Sequence, residues 1–249
     1  MLRVENIKKT FGGLTAVNDV SFTVGSGEIY SVVGPNGAGK TTLFNLITGI
    51  SKPDSGSVFL DDKNITNVDP SRLAQTGISR TFQNIRLFKS LNAVENVIAA
   101  LSVRQTDSLL SALMIGSKKT IREMQEESEA LLEWVGIKDS MYMLPSELPY
   151  GDQRKVEIAR ALAGKPRLLI LDEPTAGMVT QESNSIIDLM GKLKDFGITI
   201  MLIEHNMNVV MKASDRIMVI NFGNKIAEGS PHEVQSNPEV IEAYLGADE

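Results

Sequence analysis

The segment Gly34-Pro35-Asn36-Gly37-Ala38-Gly39-Lys40-Thr41-Thr42 follows directly on the apolar run Ile29-Tyr30-Ser31-Val32-Val33 and precedes Leu43-Phe44-Asn45-Leu46-Ile47. A glycine-rich turn closed by Gly-Lys-Thr, between a buried strand and a helix, is the phosphate-gripping loop of nucleotide-hydrolysing proteins. Its parts have separable physical tasks. Glycines let successive backbone N–H groups turn inward around an anion. The helix that follows presents its positive end to the same anion. Lys40 supplies a cation for the outer phosphates, and Thr41 a hydroxyl for Mg²⁺. A strand–loop–helix unit of this kind requires an α/β sheet around it.

Composition narrows the class. At 249 residues, with 42% hydrophobic side chains, the chain can form one large α/β domain or a domain with an inserted lobe. A net charge of −6 provides no broad basic field for nucleic acid or an anionic membrane. There is no cysteine, so neither a disulfide framework nor thiol chemistry is open to it. Met1-Leu2-Arg3-Val4-Glu5 does not read as a signal peptide. No stretch approaches the about 20 uninterrupted apolar residues of a membrane span. The expectation is a soluble protein that reaches a membrane only through a partner.

Strands are predicted over Leu2 to Ile7, Val17 to Val24, Gly27 to Val33 and Ser57 to Leu60, with a helix from Thr41 to Gly49. From about Leu87 the pattern turns helical up to residue 165, and Lys118 to Val135 spaces Ile121, Met124, Leu131, Leu132 and Val135 along one helix face. Trp134 is expected to pack at the edge of this bundle. Strand–helix alternation then returns: strand Arg167 to Leu171, helix Ser185 to Lys194 and strand Ile198 to Ile203. A hairpin runs from Ile217 to Glu228 through Phe222-Gly223-Asn224. Strands alternating with helices imply a mainly parallel sheet whose chemistry sits at the strands' C-terminal ends.

The strand Leu168-Leu169-Ile170-Leu171 ends in Asp172-Glu173. Alone, this is an acidic strand-to-loop boundary. Beside a phosphate loop, Asp172 suits a Mg²⁺ held partly through water, and Glu173 suits polarisation of an attacking water. Gln83, in Arg80-Thr81-Phe82-Gln83-Asn84, has an amide able to reach metal or water. His205, one of two histidines, follows the strand ending at Ile203, where a donor to the outer phosphate is needed. His232 fits a helix start and is given no chemistry.

The order of the phosphate loop, Gln83, Leu148-Pro149-Tyr150-Gly151-Asp152, Leu171-Asp172-Glu173 and His205 resembles that of ABC transporter ATPase subunits over essentially the whole chain. Within that family the chain is most similar to the ATPases of branched-chain amino-acid importers, through Ser79 to Phe88, Tyr150 to Arg154, and Asn237 to Gly246. The resemblance implies a P-loop NTPase fold with an N-terminal antiparallel β-subdomain and a mainly parallel core sheet. In that arrangement residues 1–86 and 166–249 form the nucleotide-binding core, and 87–165 an inserted helical subdomain. It implies ATP and Mg²⁺ as cofactors. Phe11 then matches the aromatic position that stacks on adenine, with Val17 beside it. Asn36, Gly37, Ala38, Gly39, Lys40, Thr41 and Thr42 match the triphosphate grip, and Thr41, Gln83 and Asp172 the metal ligands. Glu173 matches the general base, and His205 the γ-phosphate switch. Leu148 and Gly151 match the signature segment that covers the nucleotide of a second ATPase subunit.

Phe11, where Tyr is commoner, and Asp152 depart from the family pattern at little cost, but two departures bear on the dimer. Pro149 stands where the signature has serine, and a hydrogen bond from that hydroxyl to a charged group contributes roughly 1.5–3 kcal/mol. Val179 stands where an Asp or Asn hydrogen-bonds across the dimer. The chain is therefore expected to bring a complete site of its own and an imperfect lid for its partner, which favours a partner of different sequence. The resemblance further implies integral membrane permease subunits, indirectly a solute-binding protein, no nucleic acid, and a peripheral location on the cytoplasmic face of the membrane. Arg86-Leu87-Phe88 with Leu91, Val94 and Val97 is expected to receive a short permease helix. Uptake of branched-chain or related amino acids is the function implied. Transport of lipid or another solute, and a soluble non-transport ABC protein, are the alternatives.

Overall fold

A computed structural model describes residues 1–105 and 118–245. The part of the predicted helical stretch at 106–117 and the end of the tail at Gly246 lie outside the described residues. Strands β1 (Leu2–Phe11), β2 (Leu14–Val24), β4 (Ser55–Leu60) and β5 (Lys63–Asn64) form an antiparallel sheet in the order β2-β1-β4-β5. The second sheet has the order β10-β9-β3-β8-β7-β6. Its strands are β3 (Ile29–Val33), β6 (Ile78–Arg80), β7 (Leu168–Asp172), β8 (Thr199–Ile203), β9 (Arg216–Asn221) and β10 (Asn224–Gly229). All its pairings are parallel except the β9–β10 hairpin. An antiparallel sheet beside a mainly parallel core sheet is the architecture expected from the sequence.

The side-chain period of two on each strand sends alternate residues into separate cores on the two faces of the parallel sheet. Leu168, Ile170, Met201, Ile203, Met218 and Ile220 face the antiparallel sheet and helix α1 (Lys40–Ile47). Leu169, Leu171, Ile200 and Leu202 face the helical lobe. Because both faces are covered, β3, β7 and β8 are buried at every position, as parallel strands with continuous apolar runs must be. The lobe is built from α3 (Ala93–Gln105), α4 (Lys118–Trp134) and α5 (Tyr150–Ala163), packed on α6 (Thr180–Asp195).

Several boundaries differ from the sequence expectation for identifiable reasons. β1 continues past Ile7 to Phe11 because it pairs with β2 on one side and β4 on the other, through register irregularities. β3 starts at Ile29, since Gly27 turns the chain at φ 69°. Residues 87–92 are not helical. α3 begins only where Asn92 and Glu95 cap each other, Asn92 N–H donating to Glu95 at 2.8 Å and Glu95 N–H to Asn92 at 2.9 Å. The α2 helix (Pro70–Gln75) and β6 gave too short a pattern to stand out. Met124 and Leu132 in α4, and Val135 just after it, are buried, but Ile121 faces solvent. Trp134 packs against the lobe's core and meets Phe196 edge-on at 5.7 Å. His232 lies in α8 (Pro231–Gln235), which Ser230 caps, and α9 (Pro238–Leu245) follows. The last helical piece, α7 (Met207–Ala213), links β8 to β9.

Candidate active site

The loop from Gly34 to Gly39 connects β3 to α1 at the C-terminal edge of the parallel strands. Gly39 is required sterically: at φ 105°, a Cβ there would lie 2.2 Å from the Ala16 carbonyl oxygen. No acidic side chain occupies the first turn of α1, and no side chain caps it, so its N–H groups remain available to an anion. Lys40 is buried, and its ammonium donates to the Gly34 oxygen at 2.6 Å and the Pro35 oxygen at 2.8 Å. Burial pushes its pKa below the usual lysine value, while the negative charges of Glu173 and Asp172 oppose that shift.

Small-molecule sites are clefts of roughly 300–1,000 Å³. The one here measures ≈ 540 Å³ and is lined by Phe11, Leu14, Thr15, Ala16, Asn36 to Thr42, Gln83, Glu173, Phe222 and Gly223. Of the residues expected to hold nucleotide and metal, Phe11, Asn36, Gly37, Ala38, Gly39, Lys40, Thr41, Thr42 and Gln83 thus line one cavity. Val17 does not. It is fully buried beneath the antiparallel sheet, and its neighbours Thr15 and Ala16 face the cavity instead.

Three segments, after β6, β7 and β8, bring polar side chains together here. Glu173 follows β7 and adopts φ 46°, a left-handed conformation that a non-glycine residue holds only under constraint. Its N–H donates to the Ile203 oxygen at 2.9 Å. The Gln83 amide donates to the Glu173 carboxylate at 2.9 Å, and His205 Nδ1 lies 3.6 Å from the same oxygen. The geometry therefore joins three residues separated by over 120 positions in sequence into one polar cluster beside the phosphate loop.

Asp172 is held differently. Its side chain is 8% exposed and accepts from the Arg80 guanidinium, equally buried, at 2.8 Å. Arg80 also donates to Asn45 at 2.7 Å and Thr48 at 3.2 Å, so it staples β6 to α1 and β7. The donor set of Thr41, Gln83 and Asp172 offers one carboxylate, one hydroxyl and one amide. That suits Mg²⁺, which keeps several waters and takes substrate phosphates rather than a protein cage.

Sequence reasoning passed over three supporting residues. Arg80 stood two places before the recognised Phe82-Gln83. Glu204 is fully buried after β8. It accepts from Thr175 N–H at 3.1 Å, Thr175 Oγ1 at 2.5 Å and His205 N–H at 3.2 Å, which fixes the loops after β7 and β8 together. Arg154, fully buried in α5, donates to the carbonyls of Phe82 and Gln83, each at 2.8 Å, and to Glu157 at 2.6 Å. A buried charge beside a known motif was the only signal available for each.

Leu148 and Gly151 do not line this cavity. Both are buried at the start of α5, whose N-cap is Pro149 and which has no side-chain cap. Val179 is 66% exposed at the N-cap of α6, where Glu182 reaches back to its N–H at 3.2 Å. The expected docking groove is also redrawn. Val94 and Val97 are buried in the lobe, so they cannot present a surface, whereas Phe88 is 50% exposed under the Arg160 guanidinium at 5.1 Å. The adjoining cleft, ≈ 390 Å³, lies between core and lobe and is lined by Ile50, Leu73, Ala74, Phe82, Arg86, Ala100 and Arg160, among others.

Comparison with known proteins gives a consistent result. The family model described as ABC transporter matches residues 17–176, and one described as branched-chain amino acid ATP-binding cassette transporter matches residues 224–249. The chain is 42% identical over 253 residues to the high-affinity branched-chain amino acid transport ATP-binding protein LivG of Salmonella typhimurium, covering 99% of this chain and 98% of that protein. A crystal structure of the ADP conformation of an ABC transporter's ATP-binding cassette is 36% identical. It covers 99% of this chain and 98% of that one with a TM-score of 0.88. A dimeric bacterial ABC transporter cassette is 28% identical, covering 93% of this chain and 99% of that one, with a TM-score of 0.79.

Proposed function

This chain belongs to the ABC transporter family, as an ATPase cassette, and on that premise we propose that it powers uptake of branched-chain or related amino acids through a membrane importer. The observation that carries the reading is Glu173, which lines the phosphate-loop cavity with Gln83 and has His205 3.6 Å from its carboxylate, in a chain alignable end to end with such a subunit. Phe11 is the base-stacking residue. The loop from Asn36 to Thr42 receives the phosphates. Thr41, Gln83 and Asp172 would hold Mg²⁺, which would supply positive charge to offset the phosphates. Glu173 takes the proton of the attacking water, its carboxylate oriented by the Gln83 amide, and His205 donates to the γ-phosphate.

Two cassettes close over two nucleotides. Leu148, Gly151 and the uncapped N-terminus of α5 cover the nucleotide of the second subunit, to which a backbone N–H and a helix dipole are suited. Pro149 and Val179 offer no hydroxyl or carboxamide there, and a partner of different sequence compensates for this. The cleft beside Phe88 receives a permease helix, and Arg154 ties that movement to the backbone of Gln83. A solute-binding protein delivers the substrate, and the chain lies at the cytoplasmic face. Among the described residues no helix is long and apolar enough to cross a membrane.

The test is to purify the whole complex through this chain, identify the co-purifying subunits, and measure uptake of labelled leucine into proteoliposomes. Co-purified permeases with ATP-dependent leucine uptake support the reading. Permeases that move only another solute reassign the substrate, and co-purified ribosomes or DNA without permeases refute transport.

A further inference from the structure

The β9–β10 hairpin closes with Asn221 opposite Asn224, so Phe222 and Gly223 are its two turn residues. Their φ values, 45° and 78°, are both left-handed, as a type I′ turn demands. Asn, Asp or Gly normally fills the first of these positions; a bulky aromatic there is strained. The ring gains nothing from its own chain in return, because Phe222 is 82% exposed. Among the described residues it takes part in no aromatic stack and in no cation–π contact. A residue that is both strained and exposed has no reason in folding stability.

The turn's position supplies one. Gly223 N–H donates to the Ala38 oxygen at 2.9 Å, and the Gly223 oxygen accepts from Asn18 N–H at 2.8 Å. Asn224 adds bonds to Asn18 and to the Phe222 oxygen, each at 3.0 Å. The turn is thus fixed on one side to the phosphate loop and on the other to β2. From there Phe222 lines the same ≈ 540 Å³ cavity as Phe11 and Leu14, which are 51% and 73% exposed. The phosphate end of that cavity is polar; these three side chains are its large exposed apolar groups.

We propose that Phe222 is a second aromatic contact for the nucleotide, covering its base or ribose on the side away from Phe11. The inference rests on the ATP-binding reading above and adds a binding residue to it. Every base carries a π face, so stacking recognises the ligand without discriminating strongly among purines.

The test compares wild type, Phe222→Asn, Phe222→Tyr and Lys40→Ala by titration calorimetry with ATP and, separately, with inorganic tripolyphosphate, alongside thermal unfolding. Phe222→Asn should weaken ATP about five- to tenfold, an aromatic-stacking loss, and leave tripolyphosphate unchanged. It should also raise the unfolding midpoint by roughly 2–4 °C, because Asn accepts the left-handed turn. Phe222→Tyr should keep the affinity. Equal ATP affinity in Phe222→Asn and wild type, with Lys40→Ala weakened, overturns the proposal and leaves the ATP reading standing. An equal loss for ATP and tripolyphosphate also overturns it, by locating the effect in the loop. Absence of ATP binding in wild type overturns both.

Discussion

Replacing Arg80 by Met tests whether Asp172, at the end of β7, is held by a buried ion pair. Arg80 and Asp172 are each 8% exposed and 2.8 Å apart. Met fills the volume of the aliphatic stem but leaves Asp172 charged, out of water and without its cation. It also strips Asn45 and Thr48 of a donor. Breaking one side of a buried pair costs about 3–5 kcal/mol. In a chain of this size each kcal/mol moves the midpoint by about 2–4 °C, so thermal unfolding should shift down by roughly 6–20 °C. The double variant Arg80→Met/Asp172→Asn removes both charges and should recover part of that loss, because the uncompensated carboxylate is gone. A shift under 2 °C for Arg80→Met, or additive losses in the double variant, would refute the claim that the pair holds β6, α1 and β7 together.

The other expectations follow from the same contacts. Glu204→Ala leaves the buried N–H and hydroxyl of Thr175 without their acceptor and should destabilise by roughly 3 kcal/mol in denaturant titration, with Glu204→Gln losing less since its amide oxygen still accepts. Phe88→Asp, at a half-exposed position, should abolish uptake by the assembled complex while the isolated chain keeps its ATPase rate. Equal loss of both activities would mean that Phe88 serves lobe packing. Val179→Asp places a good N-cap at the start of α6 and should stabilise by about 0.5–2 kcal/mol in thermal unfolding. It should also raise the turnover of the complex, and an unchanged or lower turnover would argue that Val179 does not limit the partner's site.

The phosphate loop, Asp172-Glu173 and the parallel strands were legible because each is a local signal: a spacing, or an unbroken apolar run. What the sequence concealed depends on contacts between distant segments. Nothing local pairs Arg80 with Asp172, or turns Glu204 back onto Thr175. Val94 and Val97 have the spacing of an apolar face, yet periodicity does not say whether that face meets the lobe's own core or a partner, and here it meets the core. Phe222 read as an ordinary hairpin residue. Only its left-handed backbone and its place on the cavity rim set it apart.

The central claim is that Glu173, oriented by Gln83 and beside His205, activates water at a site that grips ATP. Glu173→Gln keeps the shape and removes the base. Measured in the intact complex by phosphate release and by retained nucleotide, it should bind ATP as tightly as wild type and hydrolyse it at least a hundredfold more slowly, within the range that a positioned general base contributes. Phosphate release at the wild-type rate would contradict the claim.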